Sequence, residues 1–190
     1  MKKIFILLGH PDKDTLSGDF ATSYALGAQK TGHEVRRTNI GEMQFDPILH
    51  KGYKEIQALE PDLIKVQEDM KWADHFVIIY PNWWCTMPAI LKGMWDRMFL
   101  PGFAFRMNKG KPGWTQLLKG KTSHVMVLAG TPPWLIRFMF GDFTNEIARG
   151  ILGFAGYKVK VSTFGPSEKI PDTKKEEWKK KVSSWGEKAK

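Results

Sequence analysis

Cysteine is nearly absent from this sequence: Cys85 stands alone among 190 residues. A single thiol excludes an intramolecular disulfide framework and any all-cysteine metal site, so a reducing, cytoplasmic compartment is expected and no metal is expected. Long apolar runs are also lacking. The start, MKKIFILLGHPD, has the two lysines and apolar run of a signal peptide, but the run stops at Leu8 and His10, Pro11 and Asp12 follow. No segment approaches the roughly 18 apolar residues of a membrane span, and a mature, soluble chain is expected. Two phosphate-binding signatures are missing as well: there is no GxGxxG and no GxxxxGK followed by Ser or Thr. Internal repeats, low-complexity tracts and a second domain boundary are not found, which leaves a single domain over residues 1–190.

What is present reads as an ordinary globular chain. Hydrophobic residues make up 42% and charged residues 26%, a balance that argues against disorder. The formal net charge is +9, and much of it sits near the end, where Lys174, Lys175, Lys179, Lys180, Lys181, Lys188 and Lys190 accompany Glu176, Glu177 and Glu187. This pattern fits a solvated helical face or a docking surface for an acidic partner. Nucleic acid is not expected, because the aromatics and the lysines fall in different parts of the chain.

Short runs rich in branched residues alternate with segments of helical period, as in βα units around a parallel sheet. The runs are Ile4–Leu8, Val35–Ile40, Phe76–Tyr80, Val125–Ala129 and Val159–Phe164, so the expected fold class is α/β with five parallel strands. Phe20, Ala21, Tyr24, Ala25 and Ala28 trace a first helix that Gly32 ends. Further helices are expected over Asp62–Trp72, over Pro88–Phe99, over Phe143–Leu152 with Gly153 and Gly156 closing it, and after Pro171. Residues 100–121 form a long excursion with little period of its own.

In an open parallel sheet, ligands bind beyond the carboxyl ends of the strands. Three loops there are chemically unusual. Gly9–Asp19 offers His10, Thr15 and Ser17 at a helix N-terminus, a place for a phosphate or simply a helix cap and a turn histidine. The stretch YPNWWCTMP puts Trp83 and Trp84 after the third strand, either as a bed for a flat ligand or as core beneath the excursion. In AGTPPW, Gly130 and Thr131 offer polar contacts, although a plain turn has the same composition. Together the loops describe a phosphate end, an aromatic wall and facing donors, which is the shape of a flavin nucleotide.

At these residues the sequence resembles the flavodoxin-like NAD(P)H:quinone oxidoreductase family, through Gly9-His10-Pro11, the segment Tyr80–Phe99 (YPNWWCTMPAILKGMWDRMF) and Gly102-Phe103-Ala104-Phe105. The resemblance extends from the first strand to Val159. It implies a three-layer flavodoxin-like fold with helices on both faces of the sheet, and a flavoprotein whose chemistry belongs to the flavin, with no catalytic side chain assigned. It further implies that His10, Thr15, Leu16 and Ser17 hold flavin phosphate, that Gln67 lies near the nucleotide side, that Pro81, Asn82, Trp83 and Trp84 line the isoalloxazine, and that Leu128, Ala129, Gly130 and Thr131 meet its pyrimidine edge. Phe105, Met107, Trp134 and Phe140 would wall the substrate cavity. A homodimer is implied, with Phe105 and Met107 reaching the partner's flavin and the apolar face of Pro88–Phe99 in the interface. The expected reaction is a ping-pong two-electron reduction of quinones or similar flat electrophiles by NADH or NADPH, with FMN favoured over FAD. Some relatives with this fold are instead regulatory subunits of potassium efflux transporters, which is the alternative expectation. One departure stands out: the tyrosine and histidine that support hydride transfer in the mammalian-type pattern have no counterpart between Pro132 and Asp142.

Overall fold

Three strands are buried over nearly their whole length, as continuous apolar runs require when both faces of a sheet are covered. The computed structural model describes residues 1–108 and 110–190. Its elements are β1 (Lys3–Leu8), α1 (Leu16–Lys30), β2 (Glu34–Asn39), α2 (Pro61–Trp72), β3 (His75–Pro81), α3 (Ala89–Met98), β4 (Phe105–Met107), β5 (Trp114–Gln116), β6 (Thr122–Leu128), α4 (Pro133–Phe140), a π-helix (Glu146–Gly153), β7 (Lys158–Phe164) and α5 (Asp172–Glu187). The five long strands form one parallel sheet in the order β2-β1-β3-β6-β7, with the half-exposed β2 and β7 at its edges. No helix among the described residues is long and apolar enough to cross a membrane.

Side chains alternate between two cores. Ile4, Ile6 and Leu8 pack on one face with Phe20, Tyr24, Trp178 and Val182, so α1 and α5 cover that side. Phe5 and Leu7 pack on the other with Leu63, Met70, Leu91, Met94 and Ile147, so α2, α3 and the π-helix form the third layer. Glycine lets α1 and α5 meet backbone to backbone: a Cβ on Gly27 would lie 2.1 Å from the Ser183 carbonyl oxygen, and one on Gly186 would lie 2.2 Å from that of Tyr24. On α5 the lysines are partly neutralised, since Lys174, Lys175 and Lys179 pair with Glu177, Asp172 and Glu176 three residues away.

The structure corrects four expectations. The apolar face of α3 is not available to a partner, because Leu91, Met94, Trp95 and Met98 are consumed by the chain's own core. The excursion over 100–121 contains the antiparallel hairpin β4–β5. Helix α4 was not anticipated: it is apolar apart from Arg137, with only Ile136 buried, so it carries no alternation of apolar and polar faces, and the prolines at its start read as a rigid loop. The helix expected over Phe143–Leu152 is instead a π-helix that runs through Gly153. Its i→i+5 bonding stacks residues five apart, which is how both Ile147 and Leu152 are buried.

A long connection over 40–60 is held by Arg97 on α3, whose side chain is fully buried. Its guanidinium donates to both carboxylate oxygens of Glu60, at 3.1 and 2.9 Å, to the Ala58 carbonyl at 2.7 Å, and to the Asp46 carbonyl. The fork geometry satisfies a buried charge with fixed partners.

Two histidines lie beneath the sheet on the α1/α5 side. His75 Nδ1 lies 2.7 Å from Thr122 Oγ1. The Nδ1–H of His124 donates to the Lys190 carbonyl at 2.7 Å, while Nε2 accepts from the Ser162 hydroxyl at 2.9 Å. Burial pushes His75 down to about 3. It pushes His124 down to about 4, against the opposing pull of the Lys190 carbonyl. Unfolded histidines take up protons below about pH 6.5, whereas these two stay neutral in the fold. Stability is therefore fully present above that pH and is lost as pH falls from about 6.5 toward 4 and then 3. The thermal midpoint should drop across this window, and His75→Asn should flatten the slope. An unchanged slope would assign the acid loss to other groups.

Candidate functional site

The chain steps from β1 outward to β2 and then returns past β1 to β3, so the loops after β1 and β3 diverge and leave a crevice at the sheet's carboxyl edge. In the first of these loops the Gly9 N–H donates to the Ile79 carbonyl at 2.8 Å. A Cβ on Gly9 would lie 2.7 Å from Leu91 Cδ2, so glycine permits the close descent against β3 and α3. His10 Nδ1 accepts from the Asp12 N–H at 2.9 Å, which leaves the ring proton on Nε2. Thr15 is the N-cap of α1, its hydroxyl accepting from the Gly18 N–H at 3.4 Å. The amides of Leu16 and Ser17 fall in the first turn, where helix geometry supplies no partner.

The second loop begins with the Asn82 N–H donating to the Leu128 carbonyl at 2.7 Å. Trp83 and Thr86 then exchange backbone hydrogen bonds of 2.9 and 3.1 Å around Trp84 and Cys85, which have φ of +53° and +63°. Two positive φ values inside such a pair mark a type I′ turn, normally the province of Asn and Gly. Holding ordinary L-residues there costs roughly 1–2 kcal/mol each. The turn is braced by the Thr86 hydroxyl, which donates to Glu146 Oε2 at 2.5 Å. Trp83 presents 44% of its surface and meets the His10 ring edge-on at 5.5 Å, while Trp84 is 98% exposed. Neither indole is core beneath the excursion, so that reading of the pair is excluded.

The second loop borders a cleft of about 570 Å³. Asn82, Trp83, Trp84 and Cys85 form one side, Gly130 and Thr131 the floor, Ile136 and Phe140 of α4 the other side, and Glu168 enters from the loop after β7. Asn82 Oδ1 is buried without a hydrogen-bond partner among the described residues.

The structure thus brings Asn82, Trp83, Trp84, Gly130, Thr131 and Phe140 together in one cleft, with His10 against its aromatic wall. Thr15, Leu16 and Ser17 lie together at the start of α1. Pro81, Leu128 and Ala129 are buried at strand ends. Other candidates lie outside the cleft lining. Gln67 donates to the Met98 carbonyl at 2.7 Å, joining α2 to the end of α3. Phe105 packs edge-on against Phe154 and, with Tyr53 and Leu100, lines a second cavity of about 680 Å³. Met107 and Trp134 are exposed. Cys85, Ile136 and Glu168 were missed. Ile136 depended on an unrecognised helix, and nothing local marks an isolated glutamate.

The order β2-β1-β3-β6-β7, with a cleft beyond the carboxyl ends of β3, β6 and β7, defines a doubly wound α/β domain. The chain belongs to the flavodoxin-like family: the model described as "Flavodoxin-like fold" matches residues 2–189. It is 32% identical over 176 residues to an uncharacterized NAD(P)H oxidoreductase of Haemophilus influenzae, covering 88% of this chain and 85% of that protein. It is 27% identical over 219 residues to the Mus musculus ribosyldihydronicotinamide dehydrogenase (quinone), covering 100% of this chain and 91% of the relative. A Streptococcus mutans UA159 crystal structure, 28% identical, superposes with a TM-score of 0.81 over 98% of this chain and 99% of that one.

Asparagine tolerates positive φ, so Trp84→Asn separates the indole from the turn. The variant should keep or slightly raise its thermal midpoint, because no packed surface is removed, while any flavin carried by the protein should be released at least tenfold more readily. Unchanged flavin retention on dialysis would remove Trp84 from the binding wall.

Proposed function

We propose that the cleft binds a flavin and that the chain is an NAD(P)H:quinone oxidoreductase, reducing quinones or similar flat electrophiles by two electrons. The observation that carries this reading is the exposed tryptophan pair, held over a cleft by a turn that is costly to maintain. The residues present fit the group: bare indole faces suit a planar ring system, and Asn82 Oδ1 lacks a donor. The family relatives' names point to nicotinamide donors and quinone acceptors.

When bound, the flavin supplies the hydride chemistry. The chain's own residues bind and orient. Thr15, whose hydroxyl donates to the Asp12 carbonyl and accepts from the Gly18 N–H, fixes the start of α1, where the amides of Leu16 and Ser17 and the Nε2–H of His10 would donate to one phosphate, assisted by the helix dipole, and this modest set favours FMN over FAD. Trp83 and Trp84 wall the ring system and exclude water from one side. Gly130 and Thr131 would meet the polar edge of the ring system with a backbone N–H and a hydroxyl. Donor and acceptor use the same cleft in turn, bounded by Phe140.

We also propose a homodimer. Phe105 and Met107 take no part in their own cleft, and large apolar side chains are exposed on α4 (Trp134, Phe138, Phe140) and on the 40–60 connection (Tyr53, Ile56), a surface unusual for a monomer.

The test is the visible spectrum of the purified protein before and after anaerobic NADH and NADPH, followed by steady-state kinetics with a neutral naphthoquinone and by sedimentation. A flavin band bleached by one nucleotide, parallel double-reciprocal lines and a mass of two chains are expected. A protein that remains colourless after incubation with FMN and FAD would overturn the reading, intersecting lines would overturn the shared cleft, and a monomer would overturn the dimer.

A further inference from the structure

Among the residues lining the cleft, Glu168 carries the one full formal charge. Its carboxylate enters no ion pair among the described residues. The segment that bears it is fastened to the cleft floor. Ser167 N–H donates to the Ala129 carbonyl at 2.9 Å. A Cβ on Gly165 would lie 2.7 Å from the Ala129 carbonyl oxygen and 2.8 Å from that of Thr131, so the two loops are nested. Glu168 lies over Gly130, with Oε1 only 2.8 Å from where a Cβ on that glycine would stand. Any larger residue at position 130 would push the carboxylate aside.

The chain as a whole is strongly basic, at +9, so its long-range field draws anions toward the surface. Inside the cleft the nearest full charge is the Glu168 carboxylate, which a bound ligand meets at close range, whereas the attraction of the whole chain acts from a distance and is weakened by salt.

We infer that Glu168 is the charge-selecting residue of this cleft, favouring neutral and cationic planar acceptors over anionic ones. The inference rests on the cleft being the acceptor site, as proposed above. Gly130 and Glu168 form a unit in this respect, the glycine making room for the charge.

The test compares dissociation constants of two planar compounds that differ in charge, anthraquinone-2-sulfonate and the corresponding uncharged sulfonamide. Binding is measured by titration calorimetry on the protein as purified. Wild type, Glu168→Gln and Glu177→Gln are compared at low and high salt, the last variant making the same change in net charge on the remote helix α5. Glu168→Gln should narrow the preference for the neutral compound about fivefold at low ionic strength, with the effect fading in concentrated salt. Glu177→Gln should leave the ratio where it is. Equal narrowing in both variants would mean that bulk charge decides, and no narrowing in Glu168→Gln would remove the residue from selection; either result overturns the inference. If flavin is held yet neither compound binds, the inference also falls. If neither flavin nor compound binds, the reading of the cleft itself fails.

Discussion

The site depends on a short series of backbone hydrogen bonds that carry the parallel ladder just past the ends of its strands. Gly9 donates to Ile79, Asn82 to Leu128, Ala129 to Phe164, and Ser167 returns to Ala129, all between 2.7 and 2.9 Å. Parallel strands end in loops that must leave the sheet on the same edge, and nothing in that geometry obliges the loops to stay together. These bonds do so. They fasten the loops after β1, β3, β6 and β7 into one surface, so residues far apart in sequence become facing walls.

On that base the protein keeps its aromatic wall in a conformation that local preferences oppose. A type I′ turn through Trp84 and Cys85 is compensated by bonds at its ends and by the brace from Thr86 to Glu146. The brace explains why the π-helix matters here: its wider coil buries Ile147 and Leu152 while its first residue, Glu146, reaches the turn. Helix α4 supplies the opposite wall with Ile136 and Phe140. The stretch from Pro132 to Asp142 has no tyrosine or histidine, and its contribution to the cleft lining is the apolar pair Ile136 and Phe140.

Arg97 shows the same economy at the back of the molecule. A fully buried guanidinium is costly unless every direction is answered, and here two carbonyls and the forked Glu60 carboxylate answer most of them. The result is that a connection with only two short 3-10 turns, Ile40–Glu42 and Gly52–Lys54, keeps a defined path across α3. Tyr53 and Ile56 are exposed on that connection.

Much of this was readable from residue order alone. The five runs of branched residues became the five sheet strands: continuous burial marks β1, β3 and β6, while the half-exposed edge strands β2 and β7 mix apolar and polar residues. Helices α1, α2 and α3 followed from stripes at three and four, and the loop motifs around His10, Trp83 and Gly130 pointed to the strand ends where the cleft lies. Local pattern failed where no pattern existed: α4 is apolar but for Arg137, and the π-helix has the wrong period. The short strands of the β4–β5 hairpin carry no signal against their surroundings. Gln67 looked like a site residue but joins two helices, because a side-chain amide serves a carbonyl as readily as a ligand. Glu168 was invisible, since its place over Gly130 depends on loops more than thirty residues apart being laced together. The chain's periodicities and motifs decided which segments are strands, helices and candidate loops, because those properties are local. Only the folded arrangement decided which side chains share the cleft, which are consumed by the core and where the charge falls, because those are properties of contacts between distant segments.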